Sequence, residues 1–542
     1  MNEYEILRFV LDNAVRYEGK ADIGSVMGII LGAHPELKAK AKNLMPEIKN
    51  IVDEVNKLSL EEQKAKLNEL GDVVRPEKVE GDKMPKLDVD KVVVRFAPNP
   101  NGALSFGHCR PGLWNWFIKE KYGGKYILRF DDTDPKIKPP MKEAYDWFKE
   151  DLKWLGVKPN KVVIQSKRLK TYYKYAQELI NMRKAYVCTC DQEKKRELLQ
   201  NKLGCECREI YQSDRWKAMF NKYKQGEAVL RIKTDLNHPD PAIRDWAAFR
   251  IVDDHNHPID NKSRVWPLLN FASAIDDHEF RVTHILRGID LRISDDRQKY
   301  LYKYFGWKYP ETIYNGKLFV EGIKSTSEIK ALIDKGEIKD WDDPRLGTIR
   351  ALRRRGFSSD SILRFMHEVG ISKTDTNVSM EALSSFNREV IDESTKRYFF
   401  VESPQKIKIE NAPFLEISAP SHPDNPKMGE RNFKTNGEFY INDKLEKGVM
   451  YRFMHLFNFS NAKFHSAEYD KELRAKLIHW LPVSEEVVNV QVIMPDGSTC
   501  KGVGEAGLSK LKVGSVVQFE RFGFVRLDKI GDSELAFVFG HK

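Results

Sequence analysis

The sequence predicts a multidomain chain: a helical N-terminal appendage, an α/β Rossmann-like domain carrying an insertion, and an all-β C-terminal region. Three observations predict it. Residues 1 to about 85 carry apolar residues at helical spacing. From Lys91 onward a strand, a glycine loop, a helix and a second strand follow in order. Beyond about residue 395, short alternating strands separated by turns take over. A length of 542 residues suits three or four domains.

In the appendage, Ile6, Val10 and Ala14 share one face, and Leu58, Leu60, Leu67 and Leu70 recur in a charged stretch. No chemistry is visible there. KVVVRFA (91–97) is then a buried strand, and RFAPNPNGALSFGHCR (95–110) contains the loop. The helix that follows stops at Gly123-Gly124, and KYILRFDD (125–132) is the second strand. Together they make a βαβ unit. The sheet is interrupted at about 185 to 250, where paired cysteines lie, and resumes with FRVTHILRG (280–288) as far as about 335. WDDPRLGTIRALRRRGF (341–357) has helix punctuation, with Asp342 or Asp343 as cap, Pro344 in the first turn and Gly356 past the end. GEFYIND, VVNVQVIMPDG and GSVVQFERFGFVRLD are strands of one or two barrels. The domain edges expected are 1–88, 89–185, 186–262, 263–335, 336–394 and 395–542, with the 186–262 segment inserted into the α/β domain.

Composition narrows the function. The chain is 41% hydrophobic and 31% charged, with a net charge of +10. That excess permits a polyanionic partner, and a lysine-rich solvated surface explains it equally well. No apolar run approaches the ~18 residues of a membrane span, and MNEYEILRFVLDN lacks the features of a secretory signal. A cytoplasmic location with no membrane partner is expected, and the six cysteines are then not disulfides. Cys188-x-Cys190 and Cys205-x-Cys207 offer four thiolates from two short turns, a donor set suited to tetrahedral zinc. Unligated thiols are the plainer alternative. Cys109 and Cys500 read as plain buried cysteines.

Free N–H groups at the start of the helix after the glycine loop suit a phosphate. Gly107 permits close backbone approach and His108 can donate to a phosphate oxygen. Alone, this is ordinary turn chemistry about three times as often as function.

The loop resembles the HIGH motif of class I aminoacyl-tRNA synthetases, and its R-F-x-P-x-P-x-G-x-L lead-in resembles the glutamyl/glutaminyl branch. LRFDDTDP (128–135), WPLLNFASAIDDH (266–278), VTHILRG (282–288), EGIKSTS (321–327) and DWDDPRLGTIRALRRRG (340–356) follow in the order of that family. PSHPDNPKMGER, LIHWLP and VVQFERFGFVRLD resemble its β-barrel anticodon-binding region. The resemblance covers roughly residues 90 to 542 and is strongest to archaeal-type glutamyl enzymes. It implies a class I catalytic domain with an inserted acceptor-binding domain and anticodon-binding barrels. The implied reaction is activation of L-glutamate by ATP with Mg²⁺, then transfer to the 3′ end of tRNA(Glu), with tRNA(Gln) as a candidate second acceptor.

The resemblance also implies residue roles. Pro98, Asn99, Pro100, Gly102, Ser105, Gly107, His108, Lys317 and Leu318 would bind ATP. Gly107, His108, Ser325, Thr326 and Ser327 would carry the chemistry. Arg95, Asp131, Ser273 and Arg287 would face the amino acid, Asp131 taking the α-ammonium. The plainer reading of Arg95 and Asp131 is a structural ion pair. Glutamyl enzymes of the branch carry arginine at position 287, where a guanidinium can grip the substrate side-chain carboxylate. A surface arginine is the plain alternative. Arg350, Arg353 and Arg354 would contact tRNA phosphates, against the alternative of a solvated basic face. Basic and aromatic residues mingle at Phe519, Arg521, Phe522, Phe524 and Arg526, half of those aromatics belonging to the core. The zinc is structural in some members of the family and would brace the insertion.

The chain departs from the family pattern in three places. Ser105 replaces the first histidine of HIGH, and Ser325-Thr326-Ser327 stands where KMSKS is expected, so that its second lysine is a threonine. Lys324 or Lys330 would then supply the charge. Leu269 stands where a substrate-contacting tyrosine is frequent. A glutaminyl enzyme and a catalytically inactive RNA-binding derivative are the alternatives; Arg287 weighs against the first, and the joint retention of Arg95, His108, Asp131 and Arg287 against the second.

Overall fold

The computed structural model describes residues 3–16, 19–34, 37, 41–71, 83–210, 213–320, 326–484 and 486–542. They fall into two compact units, residues 1–83 and 84–542.

The first unit is helical: α1 (Glu3–Arg16), α2 (Ile23–Ala33), α3 (Ala41–Val55) and α4 (Leu60–Leu70). Ile6, Val10 and Ala14 are fully buried against Val26, Ile30 and Val52, so the apolar stripe of α1 is its core face. Ser59 and Glu62 close a capping box at the start of α4. The buried Gln63 amide donates to the carbonyls of Val55, Gly19 and Leu58.

The second unit opens with β1 (Val92–Phe96), α5 (Phe106–Tyr122), β2 (Gly124–Phe130), α6 (Ala144–Trp154), β3 (Lys161–Ile164) and α7 (Leu169–Asn181). β1, β2 and β3 pair in parallel, with Val92 opposite Gly124 and Ile127 opposite Lys161. Gly123 ends α5 with φ +70°, in the left-handed region where glycine is favoured. An antiparallel sheet interrupts the α/β pattern, with strands β4 (Ala185–Cys188), β5 (Val229–Ile232), β6 (Ala247–Ile251) and β7 (Val265–Pro267). Between β4 and β5 lie α8 (Gln192–Gln200) and α9 (Ser213–Met219). The chain returns through α10 (Leu269–Glu279) to β8 (His284–Gly288), α11 (Arg292–Phe305) and β9 (Glu311–Asn315). β8 lies beside β1, where Thr283 N–H donates to the Val93 carbonyl at 2.9 Å, and pairs in parallel with β9. Val92, Val94, Leu113, Leu128 and Phe130 fill the core between sheet and helices.

β10 (Leu318–Val320), α12 (Thr326–Asp334), α13 (Ile349–Arg354), α14 (Ser359–Val369), β11 (Thr376–Val378) and α15 (Met380–Ile391) follow. One expectation is corrected here. α13 is capped by Thr348, whose side chain accepts from Ala351 N–H at 3.1 Å. Asp342, Asp343 and Pro344 lie in the preceding turn. Thr348 is the better cap because its hydroxyl reaches the third N–H of the helix, and Asp343 is already engaged by the Arg345 side chain at 2.8 Å.

Beyond residue 395 the regular elements are strands, apart from two short 3₁₀ turns. A seven-stranded sheet is centred on the hairpin Gly523–Ile530 and Glu534–His541. Smaller sheets surround a separate core of Phe439, Phe453, Phe459 and Trp480. Two apolar cores therefore divide the all-β region. Among the described residues, no helix is long and apolar enough to cross a membrane.

Candidate active site and cysteine cluster

The carboxyl ends of β1, β2 and β8 converge, as expected for a crevice at a parallel sheet. Arg95 on β1 is 6% exposed, and its Nε lies 3.2 Å from Asp277 on α10. Arg129, on β2, reaches Asp277 at 2.6 Å and Asp131 at 2.7 Å, and donates to Ser273 Oγ at 3.1 Å. Ser273 in turn donates to Asp131 at 3.2 Å. Ser273 and Asp277 are one helical turn apart, so α10 presents both to the same arginines. Burial pushes Asp131 above the usual carboxyl range while Arg129 and Arg95 pull it back. Burial acts on Asp277 in the same direction, but Arg95 and Arg129 outweigh it and hold that carboxyl below its ordinary value.

Arg287, on β8, is 8% exposed and donates to Asp295 and, at 3.2 Å, to Gln298 Oε1. The Tyr309 hydroxyl donates to both of those partners at 2.9 Å, and Tyr314 donates to Asp295. Arg287 is thus a buried, oriented guanidinium and no surface arginine.

The glycine loop is pinned on both sides. The Pro98 carbonyl accepts from Asp131 N–H at 2.9 Å and that of Pro100 from Met141 N–H at 2.8 Å. The Asn99 amide donates to Lys138 O at 3.3 Å. A Cβ on Gly102 would stand 2.4 Å from the Trp341 ring and 2.8 Å from Thr326 Cγ2. One on Gly107 would stand 3.1 Å from the Leu318 carbonyl. The loop, the start of α12 and the turn before α13 therefore meet with no room for a side chain.

Ser105 caps α5, its hydroxyl accepting from His108 N–H at 3.3 Å. That is a physical reason for serine where the motif has histidine. The helix start is less open than the motif implied. Phe106 N–H is taken by the Gly347 carbonyl, and Cys109 N–H by that of Ser105. Among the described residues, no hydrogen bond takes Gly107 N–H. His108 is accessible, but the enclosing walls and the Lys138 ammonium hold its imidazole below the usual pKa.

Lys317 pairs with Asp290 at 3.3 Å, and Leu318 is buried on β10. Thr326 and Ser327 open α12, whereas Ser325 and Lys324 lie outside the described residues. Lys330 sits half-buried in α12, and Leu269 opens α10 at 45% exposure. On α13, Arg350 pairs with Glu150 at 2.8 Å and Arg353 is exposed over Trp154. Arg354 binds Asp528 of the C-terminal sheet at 2.8 Å and Asp342 at 3.2 Å. Of the aromatics named in that sheet, Phe519 and Phe524 are core and Phe522 is partly buried. Cys109 is buried, but Cys500 is only half-buried, on a strand beside the edge strand Phe400–Glu402 and close to Glu402.

The four predicted cysteines come together. Their Sγ atoms all lie within 4.8 Å of one another, with Cys188–Cys205 and Cys190–Cys207 each at 3.8 Å. Tetrahedral zinc with bonds of about 2.3 Å requires S···S separations of about 3.8 Å, so the donor set fits. A cavity of about 770 Å³ opens beside the cluster, with Lys136, Lys195, Arg196, Arg231 and Arg250 on its walls.

Sequence reasoning missed Arg129, Asp277 and Asp295. The first two lie inside LRFDDTDP and WPLLNFASAIDDH. Local spacing shows only that Ser273 and Asp277 share a helix face; it does not bring that face to Arg129.

Comparison with known proteins follows the same division of the chain. Residues 91–393 match the model of tRNA synthetases class I (E and Q), catalytic domain. Residues 395–478 and 477–528 match two models of the anti-codon binding domain of the same synthetases. The glutamate–tRNA ligase of Pyrococcus abyssi is 47% identical over 99% of each chain. That of Pyrococcus furiosus is 46% identical over 99% of each, and that of Methanocaldococcus jannaschii 45% identical over the whole of both. With its crevice, its glycine loop and its β-rich C-terminal region, and with relatives matching 99% or more of its length, the chain belongs to the class I tRNA synthetases of the E and Q type.

Proposed function

We propose that this chain is a glutamate–tRNA ligase, which activates L-glutamate with ATP and transfers it to the 3′ end of tRNA(Glu). Relatives of 45–47% identity over essentially their full length carry that name. The observation that carries the reading within the structure is Arg287, a buried guanidinium at the mouth of β8 beside the Arg95–Asp277–Arg129 cluster. It takes the substrate side-chain carboxylate; a glutamine amide would turn N–H₂ toward a cation and leave buried charge unpaired.

The roles follow. Asp131, oriented by Arg129 and Ser273, takes the α-ammonium, and Arg95 steers the α-carboxylate. That carboxylate attacks the α-phosphorus of ATP, breaking the bond to pyrophosphate and forming glutamyl-adenylate. A terminal ribose hydroxyl of tRNA then attacks the acyl carbon, and AMP leaves with the bonding electrons. Such phosphorus chemistry is mainly positioning and charge stabilisation. Gly107 N–H and the neutral His108 imidazole donate to the phosphates, and Gly102 keeps the loop against Thr326. Mg²⁺ bound with ATP offsets the triphosphate charge. Pro98, Asn99 and Pro100 shape the loop, and Lys317, Leu318, Ser325 and Ser327 form the opposite wall. Arg350 and Arg353 contact tRNA phosphates, and the basic cavity beside the cysteines takes the acceptor end. Cys188, Cys190, Cys205 and Cys207 hold a structural zinc, the protein works in the cytoplasm, and tRNA(Gln) is a second acceptor.

The test is charging of separate tRNA(Glu) and tRNA(Gln) transcripts with labelled glutamate, and with labelled glutamine in parallel. Glutamate on tRNA(Glu) is expected; glutamate on both establishes the second acceptor. Glutamine charging overturns the role of Arg287, and no charging leaves an RNA-binding protein without catalysis.

A further inference from the structure

A zinc ion held by four thiolates carries a formal charge of −2, which is costly away from water unless cations face it. Two cations do. Lys195 Nζ lies 3.4 Å from Cys205 Sγ, and Arg215 Nη1 lies 3.4 Å from Cys207 Sγ. Lys195 is only 2% exposed, among the largest fully enclosed side chains of the protein. Among the described residues it makes no ion pair with a carboxylate; its other partner is the Tyr186 hydroxyl at 2.9 Å. Tyr186 in turn donates to Asp245 at 2.7 Å, and Asp245 is fixed by Arg208 at 3.0 Å and by Thr234 N–H at 2.9 Å. Lys195 is thus aimed at the sulfur by a rigid acceptor behind it.

The local sequence explains the placement. Asp191 caps α8 one residue after Cys190, its side chain accepting from Glu193 N–H at 2.8 Å. The first turn of α8 then swings Lys195 back over the cluster. Arg215 comes from α9, on the other side of Cys207. Both cations serve the second cysteine pair.

We propose that Lys195 and Arg215 are the counter-charges of the cysteine centre: one on Cys205, one on Cys207, together cancelling the −2 of a zinc tetrathiolate. They act as positioning residues toward the ion, tightening its hold and lowering the reactivity of the sulfurs toward electrophiles. The proposal rests on the zinc reading of the four cysteines. Neighbouring groups of this kind are worth about 10- to 100-fold in metal affinity.

The experiment uses the full chain and zinc alone. Zinc per chain is measured first. The dissociation constant is then measured by competition with a chromophoric chelator, and the rate of zinc release by N-ethylmaleimide. Variants are Lys195→Met and Arg215→Met, with Lys195→Arg and Arg215→Lys as charge-retaining partners. Wild type should hold one zinc. Each methionine variant should weaken binding about 10- to 100-fold and release zinc faster, and each charge-retaining variant should recover most of the loss. Arg215 is half-buried and independent of the Tyr186–Asp245 chain, so Arg215→Met tests the idea even if Lys195→Met fails to fold. One zinc in wild type with unchanged affinity and release in the methionine variants overturns the counter-charge proposal alone. No zinc in wild type overturns the zinc reading, and this proposal with it.

Discussion

Arg287 donates to Asp295, eight residues further along the chain, and both side chains are buried. The arginine proposed to take the substrate carboxylate is therefore half of an internal ion pair, held in place by Tyr309 and Tyr314 through the same aspartate. Its remaining N–H groups are what a substrate carboxylate would meet.

This pairing makes a simple Arg287→Gln experiment ambiguous, because it strands Asp295 as an unpaired buried charge. Loss of one partner of such a pair costs about 3–5 kcal/mol of stability. Arg287→Gln alone should lower Tm markedly. The double variant Arg287→Gln/Asp295→Asn should recover much of the stability by removing the stranded charge. Glutamate kcat/KM should fall about 100-fold or more in both, equivalent to roughly 3 kcal/mol. Recovery of activity along with stability would reduce Arg287 to a structural residue. Thermal melts and charging kinetics on the two variants separate the cases.

Gly102 has the tightest surroundings in the loop. Gly102→Ala pushes a methyl into Trp341 and Thr326, while Gly107→Ala meets one carbonyl at a milder distance. Displacing the loop by about 1 Å costs about 100-fold in rate. The expected order of loss in kcat/KM for ATP is Gly102→Ala first and Gly107→Ala second. The atoms struck first belong to the six-membered ring of Trp341. The pair Gly102→Ala/Trp341→Phe should therefore regain part of the rate. Equal activity in all three variants would show that this loop is not held for ATP.

The βαβ pattern was legible because periodicity and punctuation agreed: three valines, a glycine loop, and a double glycine after the helix. The cysteine cluster was legible because two C-x-C turns admit few arrangements. Ser105 was harder to read. Viewed as a lost histidine it suggested decay, while its place one residue before α5 makes it a cap. Arg129 and Asp277 were missed because their roles depend on strands and a helix separated by about 150 residues meeting at one point, which local spacing does not encode. Asp342 or Asp343 was read as a cap from helix punctuation, but Thr348, bridged to Ser105 across the loop, holds the first turn of α13 while Asp343 is engaged by Arg345. The basic run at 350–355 looked uniform, yet tertiary contacts divide it.

That division gives a test. Arg354 ties α13 to Asp528 with three donor–acceptor contacts, whereas Arg353 is exposed. Arg354→Ala and Asp528→Asn should each lower Tm, by about 1–2 kcal/mol of stability, and the double variant should cost little more than either single one. The salt dependence of tRNA binding should stay unchanged in them. Arg353→Ala should leave Tm nearly alone and reduce the log–log salt slope by about 1, as for one lost phosphate contact. A reduced slope in Arg354→Ala would make it an RNA contact after all.

Asp151 carries the pH prediction. It sits on α6 with both carboxyl oxygens buried and, among the described residues, without hydrogen-bond partners. Burial pushes its pKa up to about 7, against the pull of Arg350 and Arg353. The ordinary carboxyl value is 3.8, so the folded chain retains a proton that the unfolded chain releases between about pH 4 and pH 7. Its folded pKa is raised, so its contribution runs against the native state as pH rises. Stability falls through this window by up to about 1.4 kcal/mol per pH unit and levels off above pH 7. Asp151→Asn keeps the shape and removes the ionisation. The variant should therefore gain little at pH 4 and most at pH 8, with the difference in Tm growing steadily between them. A Tm difference that stays flat from pH 4 to pH 8 would mean that Arg350 and Arg353 stabilise the ionised carboxylate. The same helix of arginines would then be bound from below by Asp151 at neutral pH, leaving less of its charge for RNA.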